Sequence, residues 1–175
     1  MDRSIGLLYL AYFVAAMAGT GLSSHGFHAA GTGIGLISYG LYAALVLLFY
    51  RLFKPVNAGV SLVGALLGLL GCALGAAAVF TPIAARDQLY FFSCYDIVIG
   101  YLIVRSTFLP NFVGAAMILA GFGWWIYLLP FTTRWQIALE GLGLLAEALL
   151  MVWLVVVGVN RPAASIGADS ERRRL

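Results

Sequence analysis

The stretch Ala58–Phe80, AGVSLVGALLGLLGCALGAAAVF, contains 23 residues and no charged side chain. A helix must be about 20 predominantly apolar residues long to cross the roughly 30 Å hydrocarbon core of a bilayer. A run of this length and composition predicts a transmembrane helix.

The composition of the whole chain agrees with a membrane protein. Of its 175 residues, 63% are hydrophobic and 10% are charged, against roughly 45–50% and about 25% in soluble domains. So few charges cannot cover a soluble surface, which excludes a soluble enzyme and implies that the lipid bilayer is the main partner. The net charge is +3, and the ten basic residues lie singly between apolar runs except for one terminal cluster, Arg172 to Arg174, so we expect no nucleic-acid binding.

Five further runs have the length of a membrane span, and all five prolines fall at or just beyond segment ends, where proline cannot continue a helix. The six predicted segments are Ile5–Leu22, Ile34–Tyr50, Ala58–Phe80, Leu89–Val104, Phe112–Leu129 and Ile137–Gly158. The sequence therefore predicts an all-α, polytopic membrane protein. Residues 1–160 form one domain, a bundle of six transmembrane helices, and residues 161–175 form a short disordered cytoplasmic tail.

Basic residues indicate the orientation of the bundle, because cytoplasmic loops are enriched in lysine and arginine. The loops and termini on one side carry eight of these residues, and the loops on the other side carry two. An even number of spans with this asymmetry predicts that both termini are cytoplasmic.

Acidic residues within the apolar segments are the strongest candidates for function. Glu140 and Glu147 project within roughly 20° of each other on a helix and form one stripe with Gln136 and Gly143. Counting about 1.5 Å per residue places Glu140 some 8 Å deep and Glu147 about 18 Å deep, near the bilayer midplane. We expect this stripe to face the interior of the bundle, because a carboxylate in lipid costs at least about 2.5–3.5 kcal/mol.

Asp96, with Ser93 one turn before it, lies roughly 12 Å deep in the fourth segment. No basic residue shares the depth of these acids, so we expect Glu147 to be neutral and to donate a hydrogen bond. Candidate partners for that bond are Tyr42, Tyr95 and Ser38. Two interpretations stay open: the acids bind a proton, a cation or a lipid-like ligand, or they form interhelical hydrogen bonds that only fix the packing.

Small residues mark the predicted helix contacts, because close backbone approach stabilises helix pairs in lipid. Four glycines recur along one face of the third segment and predict a tightly packed, central helix: Gly64, Gly68, Gly71 and Gly75. The alternative is that these glycines line a conduction path.

Two histidines and two cysteines complete the polar candidates. His25 and His28 lie in the predicted connection between residues 23 and 32, at a spacing that would allow a shared metal if this stretch were helical, with Asp87 or Glu140 as a further ligand. The alternative is that both histidines are ordinary loop residues. Cys72 and Cys94 lie on consecutive segments without a CxxC motif and read as small apolar side chains.

Three stretches together resemble the bacterial membrane family called domain of unknown function 4386. They are LFYRLFKPVN (48–57), the run from Phe92 through GYLIVRSTFLP (100–110) to Gly121, and EALLMVWLVVVG (147–158). The resemblance covers about two thirds of the chain, from the second segment onward. It implies a six-helix bundle in a bacterial cytoplasmic (inner) membrane, with a glutamate opening the final apolar run, and it implies no activity.

Three functions remain as hypotheses. The first, which we favour, is a non-enzymatic membrane protein whose buried acids bind a proton or a small amphipathic ligand. The second is an accessory subunit that packs against a larger membrane complex through its glycines, as part of a homo- or hetero-oligomer. The third is a membrane enzyme with a histidine and carboxylate metal site. The chain has no phosphate loop and no HExxH, GxSxG or SxxK motif, so we expect no bound cofactor.

Overall fold

The computed structural model describes residues 3–80, 84–129 and 134–159, and every regular element in these ranges is a helix. The helices are α1 (Ser4–Ser24), α2 (His28–Phe53), α3 (Ala58–Ala78), α4 (Ala84–Arg105), α5 (Asn111–Tyr127) and α6 (Gln136–Val156). The prediction of an all-helical chain with six helices is confirmed. The predicted tail, residues 161–175, lies outside the described residues.

Five of the six helices are long and apolar enough to cross a membrane. The exception is α5, which is apolar but has 17 residues and therefore a length of about 25 Å. Apolar side chains also cover the outside of the bundle, including Val14, Leu66 and Leu145, which are each more than half exposed. A soluble protein does not present apolar surface on this scale.

The first connection is shorter than the sequence predicted. Helix α2 begins at His28, six residues before the expected start at Ile34, so only His25, Gly26 and Phe27 separate α1 from α2. Gly26 has a φ of 88°, a left-handed conformation that costs other residues about 1–2 kcal/mol. The glycine-rich stretch expected to be a loop is helical because it packs against α1.

The six helices form a closed ring in chain order. Each helix packs against the next one along the chain, and α6 packs against α1. Neighbours run in opposite directions: Gly6 near the start of α1 lies against Leu154 near the end of α6, and Gly19 near the end of α1 lies against Gly35 near the start of α2.

One end of the bundle, which we call the basic end, contains the start of α1, the α2–α3 and α4–α5 connections, and the end of α6. It carries the exposed side chains of Arg3, Arg51, Lys54 and Arg105. Beneath it lies the most buried part of the core, with eight apolar side chains at 0% exposure: Leu45, Val46, Phe53, Leu102, Ile103, Val113, Leu150 and Leu154. The opposite half of the bundle is less filled, and the candidate site lies there.

Glycines allow the tightest helix contacts. A Cβ atom at Gly100 of α4 would lie 2.6 Å from the carbonyl oxygen of Gly114 of α5, and a Cβ at Gly114 would lie 2.7 Å from that of Gly100. The four predicted glycines of α3 face α2 and α4: Gly64 lies against Val98, Gly68 against Val46 and Tyr95, Gly71 against Phe92, and Gly75 against Tyr39 and Gln88.

Candidate functional site

Three clefts lie in the half of the bundle away from the basic end, and all three are lined by Tyr12 of α1. The first, of about 450 Å³, separates the second half of α1 from the first half of α2 and is lined by residues such as Gly19, Thr20, Thr32 and Ser38. The other two contain Glu147, and they form the candidate site.

The central chamber has a volume of about 190 Å³ and brings together side chains from five helices. It is lined by Tyr12, Tyr39, Tyr42, Gln88, Leu89, Phe92, Trp124 and Glu147. The Tyr39 hydroxyl donates a hydrogen bond of 2.9 Å to Oε1 of Gln88, which ties α2 to α4 at the wall of the chamber. Glu147 is half-buried and is hydrogen-bonded to Tyr9.

The lateral cleft, of about 430 Å³, lies between α1, α5 and α6. Its lining consists of Tyr12, Trp124, Ile137, Glu140, Gly141, Leu144 and Glu147. The chamber and the lateral cleft share Tyr12, Trp124 and Glu147, so the Glu147 carboxyl is reached from both. The cleft exists because α1 and α6 approach most closely at the basic end, at Gly6, and leave space between them further along.

Asp96 is the most buried acid in the described part of the chain, with 1% of its side chain exposed. Neither carboxyl oxygen of Asp96 has a hydrogen-bond partner among the described residues, and the same holds for the hydroxyl of its neighbour Tyr95. Asp96 interacts electrostatically with Glu147 across the bundle. A buried polar group without a hydrogen bond costs about 1–3 kcal/mol, so these two side chains are unusual for a core that serves packing alone.

Aromatic rings connect the two acids. The centroids of Tyr12 and Tyr42 lie 4.6 Å apart, and those of Tyr42 and Phe92 lie 5.3 Å apart. Tyr42 also contacts Tyr95 at 6.1 Å and Tyr9 at 6.4 Å. Tyr42 therefore contacts both Tyr9, the hydrogen-bond partner of Glu147, and Tyr95, the chain neighbour of Asp96.

The structure separates the polar residues that the sequence placed on one stripe of α6. Glu147 faces the chamber, whereas Glu140 is exposed at the lateral cleft, and the expectation that Glu140 faces the bundle interior was wrong. The physical reason is the separation of α1 from α6 at this level. Gln136 is half-buried at the start of the helix, and Gly143 lies against the ring of Trp124, where a Cβ atom would be 2.5 Å from the ring.

Ser93 and Ser38 are both buried, but each hydroxyl is used within its own helix. The Ser93 hydroxyl donates to the carbonyl oxygen of Leu89, and that of Ser38 donates to Gly35 at 2.7 Å. The hydrogen bond that we expected between Glu147 and Tyr42, Tyr95 or Ser38 involves Tyr9 instead.

The predicted metal site at His25 and His28 has no third ligand in residues 3–80, 84–129 and 134–159, where no group of three metal-ligating side chains occurs. The two histidines do not share a helix, because His25 follows the end of α1 and His28 begins α2. The Nδ1 atom of His25 lies 2.8 Å from the carbonyl oxygen of Gly21. Both cysteines are free, with Cys72 buried and Cys94 half-buried.

Several residues of the site were not predicted from the sequence, among them Tyr9, Tyr12, Tyr39, Gln88 and Trp124. The two tyrosines of α1 carried no separate signal in the sequence. Their role depends on the closure of the ring between α1 and α6, which brings together residues more than 130 positions apart. The spacing of Tyr9, Tyr12 and Ala16 on one face of α1 was the available signal.

No family model, curated protein or solved structure matches this chain. The resemblance to domain of unknown function 4386 therefore stays a prediction.

Proposed function

We propose that this protein is a multi-pass protein of a bacterial cytoplasmic membrane that binds a small amphipathic ligand in the chamber around Glu147. The membrane location is supported by the five long apolar helices and by the apolar outer surface. The positions of Arg51, Lys54 and Arg105 at one end support an orientation with the basic end, and both termini, in the cytoplasm. Membership in the family domain of unknown function 4386 is part of the proposal and is supported by the motifs quoted above.

The observation that carries the binding proposal is a chamber lined by the acid Glu147, with a second, unpartnered acid, Asp96, close enough to interact electrostatically with it. Polar groups are buried without partners at a cost in stability, and functional sites are where proteins accept this cost. The chamber and the lateral cleft offer an apolar and aromatic lining with few polar groups, which is the usual composition of a small-molecule site.

The two other hypotheses have less support. The glycines of α3 that suggested an accessory subunit face α2 and α4 of the same chain, so they are not available to a partner protein. The metal-dependent enzyme needs a third ligand near His25 and His28, and the described side chains supply none.

The experiment is mass spectrometry of small molecules that co-purify with the full-length protein in lipid nanodiscs. We compare the wild type with Glu147→Gln, which keeps the size of the side chain and removes the acid. A hydrogen bond to a charged group contributes about 1.5–3 kcal/mol, so the bound fraction is expected to decrease by about tenfold or more.

The control is Asp87→Asn, the corresponding acid-to-amide substitution at an exposed position of α4 that lines neither the chamber nor the lateral cleft. It is expected to keep the bound molecule within about threefold, since its side chain does not reach the chamber. Equal retention by the wild type and Glu147→Gln, or no bound molecule in the wild type before and after incubation with membrane lipid extract, would refute the proposal.

A further inference from the structure

We propose that the ligand of the chamber is an amphipathic amine, with a protonated amino group and an apolar tail, and that it reaches Glu147 from the membrane through the lateral cleft. This inference rests on the proposed function and adds the chemical class of the ligand and its route.

The charge of the site favours a cationic head group. Glu147 and Glu140 line the two connected spaces, and no lysine, arginine or histidine lines either of them. The described cations lie elsewhere, at the basic end and at Arg134 before α6. An anionic head group would meet only acids and phenols there, whereas a cation compensates their charge.

Hydrogen bonding points to the same class of ligand. An ammonium group has three donors and no acceptor. Glu147 lines the chamber, and the two carboxyl oxygens of Asp96, one helical turn from the chamber residue Phe92, lack partners among the described residues. Asp96 is 1% exposed and close enough to Glu147 for an electrostatic interaction. An amine bound at Glu147 would also be attracted by a second carboxyl, whose oxygens no described residue satisfies.

The aromatic lining provides a third, independent reason. The rings of Tyr12, Tyr42 and Phe92 surround the space beside Glu147, with successive centroids 4.6 and 5.3 Å apart. Aromatic faces attract ammonium groups by about 0.5–2 kcal/mol, with the larger values in desolvated sites. They offer no comparable attraction to a hydroxyl or a carboxylate head group.

The sizes of the two spaces assign the tail to the lateral cleft. The chamber, at about 190 Å³, is below the range of about 300–1,000 Å³ typical of ligand sites, whereas the lateral cleft alone has about 430 Å³. Its rim is apolar, with Ile137 87% exposed and Leu144 50% exposed. In a membrane these side chains contact acyl chains, so the cleft is open to a molecule dissolved in the bilayer.

The test measures binding of three amphiphiles of equal chain length: octylamine, octanol and octanoate. The full-length protein is placed in nanodiscs of phosphatidylcholine, and binding is followed by tryptophan fluorescence, to which Trp124 in the chamber contributes, and by the shift of the thermal unfolding midpoint. Nanodiscs without protein correct for partition into lipid. We expect octylamine to bind at least tenfold more tightly than octanol, and octanoate to bind more weakly than both.

Two glycines test the route. Gly141 lines the lateral cleft, and Gly40 lies on the exposed face of α2; a Cβ atom at either position would meet nothing within 4 Å. Gly141→Phe should fill the cleft without a clash and reduce octylamine affinity at least tenfold. Gly40→Phe makes the same change on a helix away from the cleft and should leave the affinity within twofold.

Each outcome decides a different statement. Octanol or octanoate binding as tightly as octylamine would overturn the amine and leave the proposed function standing. Equal effects of Gly141→Phe and Gly40→Phe would overturn the lateral route. Binding of all three amphiphiles that is unchanged in Glu147→Gln would overturn both the inference and the proposed function.

Discussion

Replacing Asp96 by leucine is expected to make this protein more stable, although Asp96 is an acid that we place beside the binding chamber. Its side chain is 1% exposed, and its two oxygens have no hydrogen-bond partner in the described part of the chain. Leucine keeps the branching at Cγ and removes both unpartnered acceptors.

The expected change in the free energy of unfolding is the sum of two opposing contributions. Removing an unpartnered buried polar group is worth about 1–3 kcal/mol in proteins. The two methyl groups are larger than the oxygens that they replace, and overpacking a filled core costs about 1–3 kcal/mol in the worst case. Because the chamber lies close to this part of α4, we expect the neighbours to adjust, and the free energy of unfolding to increase by about 1 kcal/mol.

The assay is unfolding of the purified protein in mixed micelles by titration with sodium dodecyl sulfate, followed by the circular dichroism of the helices. The control is Asp96→Asn, which keeps the shape and a buried polar group, and which should stay within about 0.5 kcal/mol of the wild type. The affinity of Asp96→Leu for octylamine should be at least tenfold lower than that of the wild type, since a substitution that stabilises a binding site often reduces its function.

A decrease in the free energy of unfolding by more than about 1 kcal/mol in Asp96→Leu, with Asp96→Asn unchanged, would refute this reasoning. That result would mean that the carboxyl is hydrogen-bonded in the folded protein and contributes to its stability.

Three further predictions concern the architecture. Gly100→Ala places a Cβ atom 2.6 Å from a backbone oxygen of α5 and is expected to lower the free energy of unfolding by about 2 kcal/mol. Its control is Gly40→Ala, which has open space around it and should raise the free energy of unfolding by up to about 1 kcal/mol through helix propensity. The titration with sodium dodecyl sulfate measures both changes. Gly26→Ala forces alanine into a φ of 88°, so it should cost about 1–2 kcal/mol, and a wild-type midpoint would contradict the tight α1–α2 link. The orientation is tested in intact cells with a membrane-impermeant maleimide, after the native cysteines are replaced by alanine. Arg134→Cys should react with the maleimide, and Lys54→Cys should not. The reverse labelling would show that the orientation is the opposite of the proposed one.

The positions of the helices could be predicted from short stretches of sequence, because each membrane-spanning segment must satisfy its backbone hydrogen bonds by itself. A run such as Ala58–Phe80 must satisfy its own backbone hydrogen bonds in lipid, and only a helix does so within one segment. The predicted segments therefore match the six helices closely. The two largest differences are early starts: α2 begins at His28, six residues before the predicted start, and α4 begins at Ala84, five residues before it. The first arises where a stretch rich in glycine becomes helical by packing against α1.

The candidate site could be predicted only in part. The depth of Glu147 and Asp96 follows from counting residues along a helix, so both were identified from their positions alone. Helical periodicity also placed Glu140 on the same stripe as Glu147, but it says nothing about which helix lies opposite or how far away it is.

That distance depends on how the ring closes. Helix α6 meets α1 at Gly6, where the absence of a side chain lets the two backbones touch, and the helices then separate along their length. As a result Glu147 is hydrogen-bonded to Tyr9 and shares the chamber with Tyr12, while Glu140, seven residues away on the same stripe, faces outward. The contacts between the first and the last helix depend on the packing of all six helices. They could therefore not be predicted from the pattern of residues within any one helix.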